Sequence, residues 1–146
     1  MSPEQDGEIS RRAFITRMGL AGLACSELTA CAGTPRYRGV VEGGTLALNR
    51  AEIDALLAEH SAIVVEAPGW GEALVLSRSP KQEFSAVGAR CTHMGCQVRP
   101  GGRFLTCPCH GSTFDLEGRV VRGPAAKPLA RYHVSETSNT LNIKVL

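Results

Sequence analysis

The amino-acid sequence predicts an all-β domain, a small antiparallel barrel or sandwich with one short helix. From Thr45 onward, apolar and polar residues mostly alternate, as expected for strands with one buried face. Turn-forming pairs such as Pro68-Gly69 and Ser138-Asn139 separate these short runs. Many short strands divided in this way are typical of small antiparallel barrels and sandwiches.

The elements can be placed in chain order. Asn49 is suited to cap a helix over residues 50–60, with Glu52 as its capping-box partner and Ile53 and Leu56 on the apolar face. The alternating runs place the strands at residues 45–48, 62–66, 73–77, 84–88, 97–100, 104–106, 112–114, 130–135 and 140–145.

Composition limits the class of protein. The chain has 146 residues with 16 basic and 14 acidic side chains, which is enough for one domain. A hydrophobic fraction of 43% is ordinary for a globular protein and argues against disorder. The net charge of +2 is too small to indicate nucleic-acid binding. A core of this size gains appreciable stability from a cross-link or a metal.

The N-terminal region, residues 1–30, is typical of an export signal. Arg11 and Arg12 precede a Phe and a short apolar run that begins at Met18, the pattern of a twin-arginine signal. Even extended to Gly33, the run is shorter than the roughly 20 residues that span a bilayer. Residues 31–44 are rich in Gly, Pro and Arg and predict a flexible tether, so the domain is expected to occupy residues 45–146.

The end of the signal carries a candidate lipidation site. The segment Leu28-Thr29-Ala30-Cys31 resembles the lipobox of bacterial lipoproteins, in which the cysteine becomes the acylated first residue. Acylation at Cys31 would hold the domain at a membrane without a spanning helix. Cleavage at a nearby small residue, or a short uncleaved anchor, remains the alternative.

Two cysteine boxes carry the chemistry. Four of the six cysteines fall within residues 91–109, in the segments Cys91-Thr-His93-Met-Gly-Cys96 and Cys107-Pro-Cys109-His110-Gly-Ser112. Each box offers a thiolate and an imidazole, a donor set that suits zinc or an iron–sulfur cluster. A second cysteine in each box is then left over.

These boxes closely resemble the signature of the Rieske iron–sulfur family, in which two histidines replace two cysteines on one iron of a [2Fe–2S] cluster. The resemblance covers roughly residues 43–146 and implies a Rieske-type barrel with a cluster-binding subdomain. It implies that Cys91 and Cys107 are ligands of one iron and that His93 and His110 are ligands of the other. It implies a disulfide between Cys96 and Cys109 that joins the loops, and a hydrogen bond from Ser112 to a bridging sulfide. It also implies that Gly123, Pro124 and Pro128 lie within a proline loop that covers the cluster.

Two departures from the family pattern are evident. Phe114 stands where high-potential members carry a tyrosine whose hydroxyl bonds a ligand sulfur, so we expect a potential below the top of the family range of about −150 to +300 mV. The spacing between His93 and Cys107 is also a few residues shorter than is usual in the family.

The resemblance implies a one-electron carrier, exported by the twin-arginine route to the periplasm or the outer face of a bacterial cytoplasmic membrane. The implied partners are a quinol-oxidising cytochrome b-type complex and a c-type cytochrome. One alternative is the small subunit of a periplasmic molybdenum oxidase of the arsenite oxidase type, whose partner is the large molybdenum subunit. A zinc-stabilised lipoprotein module without redox activity is the alternative from another class.

Overall fold

The computed structural model describes residues 33–79 and 81–146. The predicted export signal with Arg11 and Arg12, and the lipidation candidate Cys31, lie outside these residues. The elements, in chain order, are β1 Arg36–Arg38, β2 Val40–Glu42, β3 Thr45–Asn49, α1 Arg50–Glu59, β4 Ala62–Glu66, β5 Ala73–Arg78, β6 Phe84–Gly88, β7 Arg99–Gly101, β8 Phe104–Thr106, β9 Thr113–Asp115, β10 Val120–Arg122, β11 Arg131–Glu136 and β12 Thr140–Lys144.

Eight of the strands form one sheet that curls into a near-barrel. Its order is β1-β4-β5-β6-β11-β12-β3-β2, so β1 and β2 occupy the two edges. These edge strands are consecutive in the chain and only Gly39 separates them, so the two edges must lie next to each other. A β-carbon at Gly39 would lie 2.5 Å from Leu46 Cδ1 and 2.6 Å from Leu48 Cδ2, which explains why this junction needs a glycine.

The strands β4 to β6 are buried on both faces. Ile63 and Val65 of β4 pack into one apolar cluster with Leu74 and Leu76, inside the barrel. Val64, on the opposite face of β4, packs into a second cluster, which also contains Cys91 and Cys107. The run Ala-Ile-Val-Val of β4 is therefore continuously apolar because both of its faces lie against other parts of the protein.

The helix α1 follows the prediction closely. Asn49 caps it, and its side chain accepts a hydrogen bond from the amide of Glu52 at 3.2 Å. The reciprocal bond of a capping box is replaced, because the amide of Asn49 donates to the hydroxyl of Tyr37 at 3.3 Å. Ile53 is fully buried and fixes the helix against the barrel core.

The remaining four strands form a separate antiparallel sheet in the order β10-β9-β8-β7. They belong to residues 89–130, which we call the inserted segment because the chain enters it from β6 and leaves it into β11. Those two strands are hydrogen-bonded neighbours in the large sheet, with Arg131 opposite Val87. The inserted segment is therefore an excursion between two adjacent strands.

The all-β prediction is confirmed, and three details differ from it. The predicted tether over residues 31–44 contains β1 and β2, which pair with β4 and β3, and the folded unit begins at Thr34 rather than at residue 45. The strand β10 was not predicted, because it is a three-residue edge strand with little alternation. Several strand ends move by one or two residues, as with β7, expected at 97–100 and found at Arg99–Gly101.

Among the described residues, no helix has both the length and the apolar character needed to cross a membrane.

Candidate metal centre

Two loops of the inserted segment carry the cysteine boxes. We call residues 91–96 loop 1 and residues 107–112 loop 2. In loop 1 the amide of Cys91 donates to the carbonyl of Cys96 at 2.8 Å, and the amide of Gly95 donates to the carbonyl of Cys91 at 2.9 Å. Gly95 has a φ of +80°, a conformation that glycine adopts without strain.

Loop 2 repeats this backbone geometry. The amide of Cys107 donates to the carbonyl of Ser112 at 2.8 Å, and the amide of Gly111 donates to the carbonyl of Cys107 at 3.0 Å. Gly111 has a φ of +74°. The two loops are thus the same six-residue turn built twice, with a cysteine at the first position and a left-handed glycine at the fifth.

A disulfide joins the two loops. Cys96 and Cys109 are bonded to each other, with their Cα atoms 6.5 Å apart. The Sγ atoms of these two residues and of Cys107 lie within 4.8 Å of one another. The disulfide sulfurs carry no free thiolate, so among these three residues only Cys107 offers a metal ligand.

The predicted ligands lie where the two loops meet. Cys91 and Cys107 are unpaired and only 2% exposed, and both pack in the apolar cluster beneath the loops. His93 and His110 are exposed, with their ring centroids 4.9 Å apart. The site therefore has a buried thiol side and an exposed imidazole side.

The segment predicted to be the proline loop is hydrogen-bonded to both cysteine loops. The hydroxyl of Thr92 in loop 1 donates to the carbonyl of Lys127 at 2.6 Å. The amide of Ala125 donates to Oγ of Ser112 in loop 2 at 3.0 Å. Each cysteine loop is thus tied to the segment that contains Gly123, Pro124 and Pro128, all three of which are exposed.

Ser112 is the last residue of loop 2, and Phe114 follows it in β9. Both side chains are fully buried, and Phe114 shares its apolar cluster with the two unpaired cysteines. The hydroxyl of Ser112 already accepts a bond from Ala125, so its own proton is available for a second partner. Phe114 has no polar atom to offer to a sulfur.

The far end of the small sheet is held by a charged turn. Oδ1 of Asp115 accepts from the amides of Glu117 at 3.1 Å and Arg119 at 2.8 Å, and Oδ2 accepts from the guanidinium of Arg119 at 2.6 Å. Partial burial acts to raise the pKa of Asp115, but the bonds and charge from Arg119, with the amide of Glu117, outweigh it and leave that pKa below its usual value.

An open hollow of about 410 Å³ lies behind loop 1, lined in part by Glu72, Arg90 and Tyr132. Partial burial, together with the charge of Glu72 and a hydrogen bond to it, raises the pKa of Tyr132. The guanidinium of Arg90 lies over Gly95, since a β-carbon on that glycine would come within 3.1 Å of its Nε.

The donor set fits an iron–sulfur cluster with mixed ligands. The two loops carry two unpaired cysteines that share one apolar cluster and two histidines whose rings are 4.9 Å apart, and the disulfide holds these loops together. The ties from Thr92 and Ala125 were not predicted from the sequence, because each joins residues far apart in the chain. The only indication of these hydrogen bonds in the sequence is that the bonded residues are predicted site residues or their neighbours in the chain.

Comparison with known proteins agrees with this geometry. The family profile of the Rieske [2Fe–2S] domain matches residues 51–133. The cytochrome b6-f complex iron-sulfur subunit of Prochlorococcus marinus is 34% identical over 92% of this chain and 84% of its own length. The subunit of the same name from Synechococcus elongatus is 37% identical over 62% of this chain, and the match spans only 54% of that relative.

Solved structures show the same fold. The cyanobacterial plasma membrane Rieske protein of Synechocystis superposes with a TM-score of 0.55 at 28% identity, over 66% of this chain and 98% of that one. Naphthalene 1,2-dioxygenase matches with a TM-score of 0.56 over 70% of this chain and 26% of its own. At 18% identity the second likeness concerns the fold alone.

Proposed function

Because the chain belongs to the Rieske [2Fe–2S] domain family, we propose that it acts as a one-electron carrier. The domain binds a [2Fe–2S] cluster, and when bound this group supplies reversible one-electron chemistry. The observation that supports the proposal is a disulfide that joins two loops, each of which carries one buried free cysteine and one exposed histidine.

The proposed cysteine and histidine ligands differ in how deeply they are buried. We assign Cys91 and Cys107 to the inner iron, because both thiols lie in the apolar cluster. We assign His93 and His110 to the outer iron, because both rings reach the surface. Neutral imidazoles bring less negative charge than thiolates, which favours the reduced state and raises the potential. The exposed rings also give a partner a direct approach to the site.

The partners follow from the relatives rather than from this chain alone. We propose electron transfer between a quinol-oxidising cytochrome b-type complex and a c-type cytochrome, in line with relatives named as cytochrome b6-f iron-sulfur subunits. The chain spans about half the length of the first of these relatives. Service as the small subunit of a molybdenum oxidase is the second candidate, and purification of the native complex would separate the two.

The location is also a proposal. The twin arginines Arg11 and Arg12 support export of the folded protein, and Cys31 supports a lipid tether. The disulfide between Cys96 and Cys109 suits an oxidising compartment outside the cytoplasm. Globomycin-sensitive processing and mass spectrometry of the mature N-terminus would test acylation, and Cys31→Ala is expected to release the protein from the membrane.

Electron paramagnetic resonance of the dithionite-reduced protein tests the central proposal. We expect the signal of a cluster with mixed cysteine and histidine ligands, and iron and acid-labile sulfide in equal amounts. His93→Ala or His110→Ala should abolish that signal, while His133→Ala, an exposed histidine on β11, should retain it. A protein that contains zinc and gives no such signal would refute the proposal.

A further inference from the structure

We propose that the tip of the inserted segment docks a redox protein, and that the partner's contact surface is rich in carboxylates. The tip comprises His93, Met94 and His110, together with three flanking cations, Arg99, Arg122 and Lys127. The inference rests on the proposed electron-transfer function and specifies the chemistry of its partner.

Strand register places the cations around the tip. Loop 2 leaves β8 after Thr106 and enters β9 at Thr113, so these two residues mark the loop end of the small sheet. Arg99 pairs with Thr106 on one edge strand, and Arg122 pairs with Thr113 on the other. The two arginines therefore flank loop 2 from opposite edges, and both are exposed.

Lys127 adds a third positive charge beside loop 1. Its carbonyl accepts the hydrogen bond from Thr92, the residue before His93, so the backbone of Lys127 lies directly against loop 1. Lys127 is also exposed. Among the described residues, none of these three cations takes part in an ion pair.

The acidic residues of the inserted segment lie at its other end. The segment contains only two, Asp115 and Glu117, and both are paired with Arg119. Asp115 is opposite Phe104 in the register, which is the end of the sheet away from loop 2. Outside the segment, Glu72 lines the hollow behind loop 1 together with Arg90, His93 and Met94, so one carboxylate lies on the loop 1 side of the tip. The positive charge at the tip is thus not balanced by carboxylates of its own segment.

An apolar centre completes the surface. Met94, next to His93 in loop 1, is 70% exposed. A large exposed apolar side chain surrounded by charged residues is the usual arrangement of a transient protein interface. Methionine also adapts to partners of different shape. A redox protein is favoured over an anionic lipid surface because a lipid headgroup cannot exchange an electron with the exposed imidazole side.

Two readouts test the inference on the cluster-loaded full-length chain. In stopped-flow experiments the reduced protein gives one electron to hexacyanoferrate(III), a trianion, or to tris(phenanthroline)cobalt(III), a trication. We expect the rate with the trianion to fall as salt is added and the rate with the trication to rise, because salt screens attraction and repulsion alike. In the oxidised protein, hexacyanochromate(III) should broaden amide resonances of β7 and β10 preferentially.

Matched variants locate the charge. Arg99→Gln with Arg122→Gln should lower the low-salt rate with the trianion by about three- to tenfold, a part of the roughly 10- to 1000-fold that electrostatic steering supplies in total. Lys81→Gln with Lys144→Gln removes the same charge from exposed positions outside the segment and should change that rate less than twofold, by the same reasoning. Unchanged circular dichroism and an unchanged electron paramagnetic resonance signal would show that both variants remain folded and retain the cluster.

The outcomes separate the two hypotheses. Equal losses in both double variants, or salt slopes opposite to those expected, would overturn the docking inference while the electron-transfer function stands. Co-sedimentation with phosphatidylglycerol vesicles that depends on Arg99 and Arg122 would also overturn it, by assigning the surface to lipid. A protein that reduces neither oxidant and gives no cluster signal would instead refute the proposed function.

Discussion

Replacing Ser112 by alanine should weaken both the fold and the redox site. The hydroxyl is fully buried and accepts a hydrogen bond from the amide of Ala125 at 3.0 Å. Ala125 is itself only 3% exposed, so Ser112→Ala leaves a buried amide without an acceptor. Such a loss costs about 1–3 kcal/mol. We expect urea unfolding to show a destabilisation of this size, together with faster hydrogen exchange at the Ala125 amide.

The same substitution should lower the reduction potential. The proton of Ser112 is free to be donated into the site, where it would stabilise the added electron. If this bond strengthens by about 1 kcal/mol on reduction, its loss lowers the potential by roughly 40 mV, since about 59 mV corresponds to a tenfold change in a one-electron couple. Protein-film voltammetry measures this shift.

Ser77→Ala is the matched control. Ser77 is buried too, and its hydroxyl donates to the carbonyl of Leu116 at 3.3 Å. That carbonyl also accepts from Ser85 at 3.3 Å, so it keeps a partner when Ser77 is removed. We expect a smaller loss of stability and no change in potential. An unchanged potential in Ser112→Ala would refute a role toward the cluster, and an unchanged unfolding free energy would refute the tie to Ala125.

Three further changes have defined outcomes. Phe114→Tyr should raise the potential, because it restores a hydroxyl beneath the buried cysteines; an unchanged voltammogram would contradict this. Cys96→Ser with Cys109→Ser removes a cross-link between residues 13 apart and should cost about 3 kcal/mol in urea unfolding of the loaded protein. Asp115→Asn should flatten the dependence of the unfolding free energy on pH at acid pH. The pKa of Asp115 is lowered in the folded protein, so its carboxylate stabilises the fold above the unfolded pKa, and this stabilisation is lost as pH falls through the folded pKa. Unfolding midpoints from pH 2 to 6 would show whether that loss persists without Asp115.

The barrel strands were predictable where burial imposes a pattern. The strands β4 to β6 and the helix cap at Asn49 lie where apolar runs and capping residues indicate them. The strands β1 and β2 were missed because only the central side chain of each, Tyr37 and Val41, packs against the core, and three residues show too little alternation to indicate a strand. Gly39, which looks like a linker residue in the sequence, is required by contact with Leu46 and Leu48.

At the site, the types of ligand could be predicted from the sequence, but the contacts that hold the loops in place could not. The residue types of Cys91, His93, Cys107 and His110 indicate their donors directly. The two boxes share the spacing Cys-x-x-x-Gly in the sequence, but their common backbone turn is evident only in the structure, where main-chain hydrogen bonds define it. Contacts such as that from Thr92 to Lys127 depend on tertiary structure and leave no local pattern.

The attachment of the inserted segment has a consequence for protein engineering. The segment leaves β6 and returns in β11, whose residues Ala86 and Tyr132 are paired, so a short hairpin could join the same two strands. Chain connectivity thus places little restriction on grafting a segment from another relative. The restriction comes from the apolar layer that Val64, Val75 and Val87 share with the segment, and a successful chimera must preserve that complementary packing.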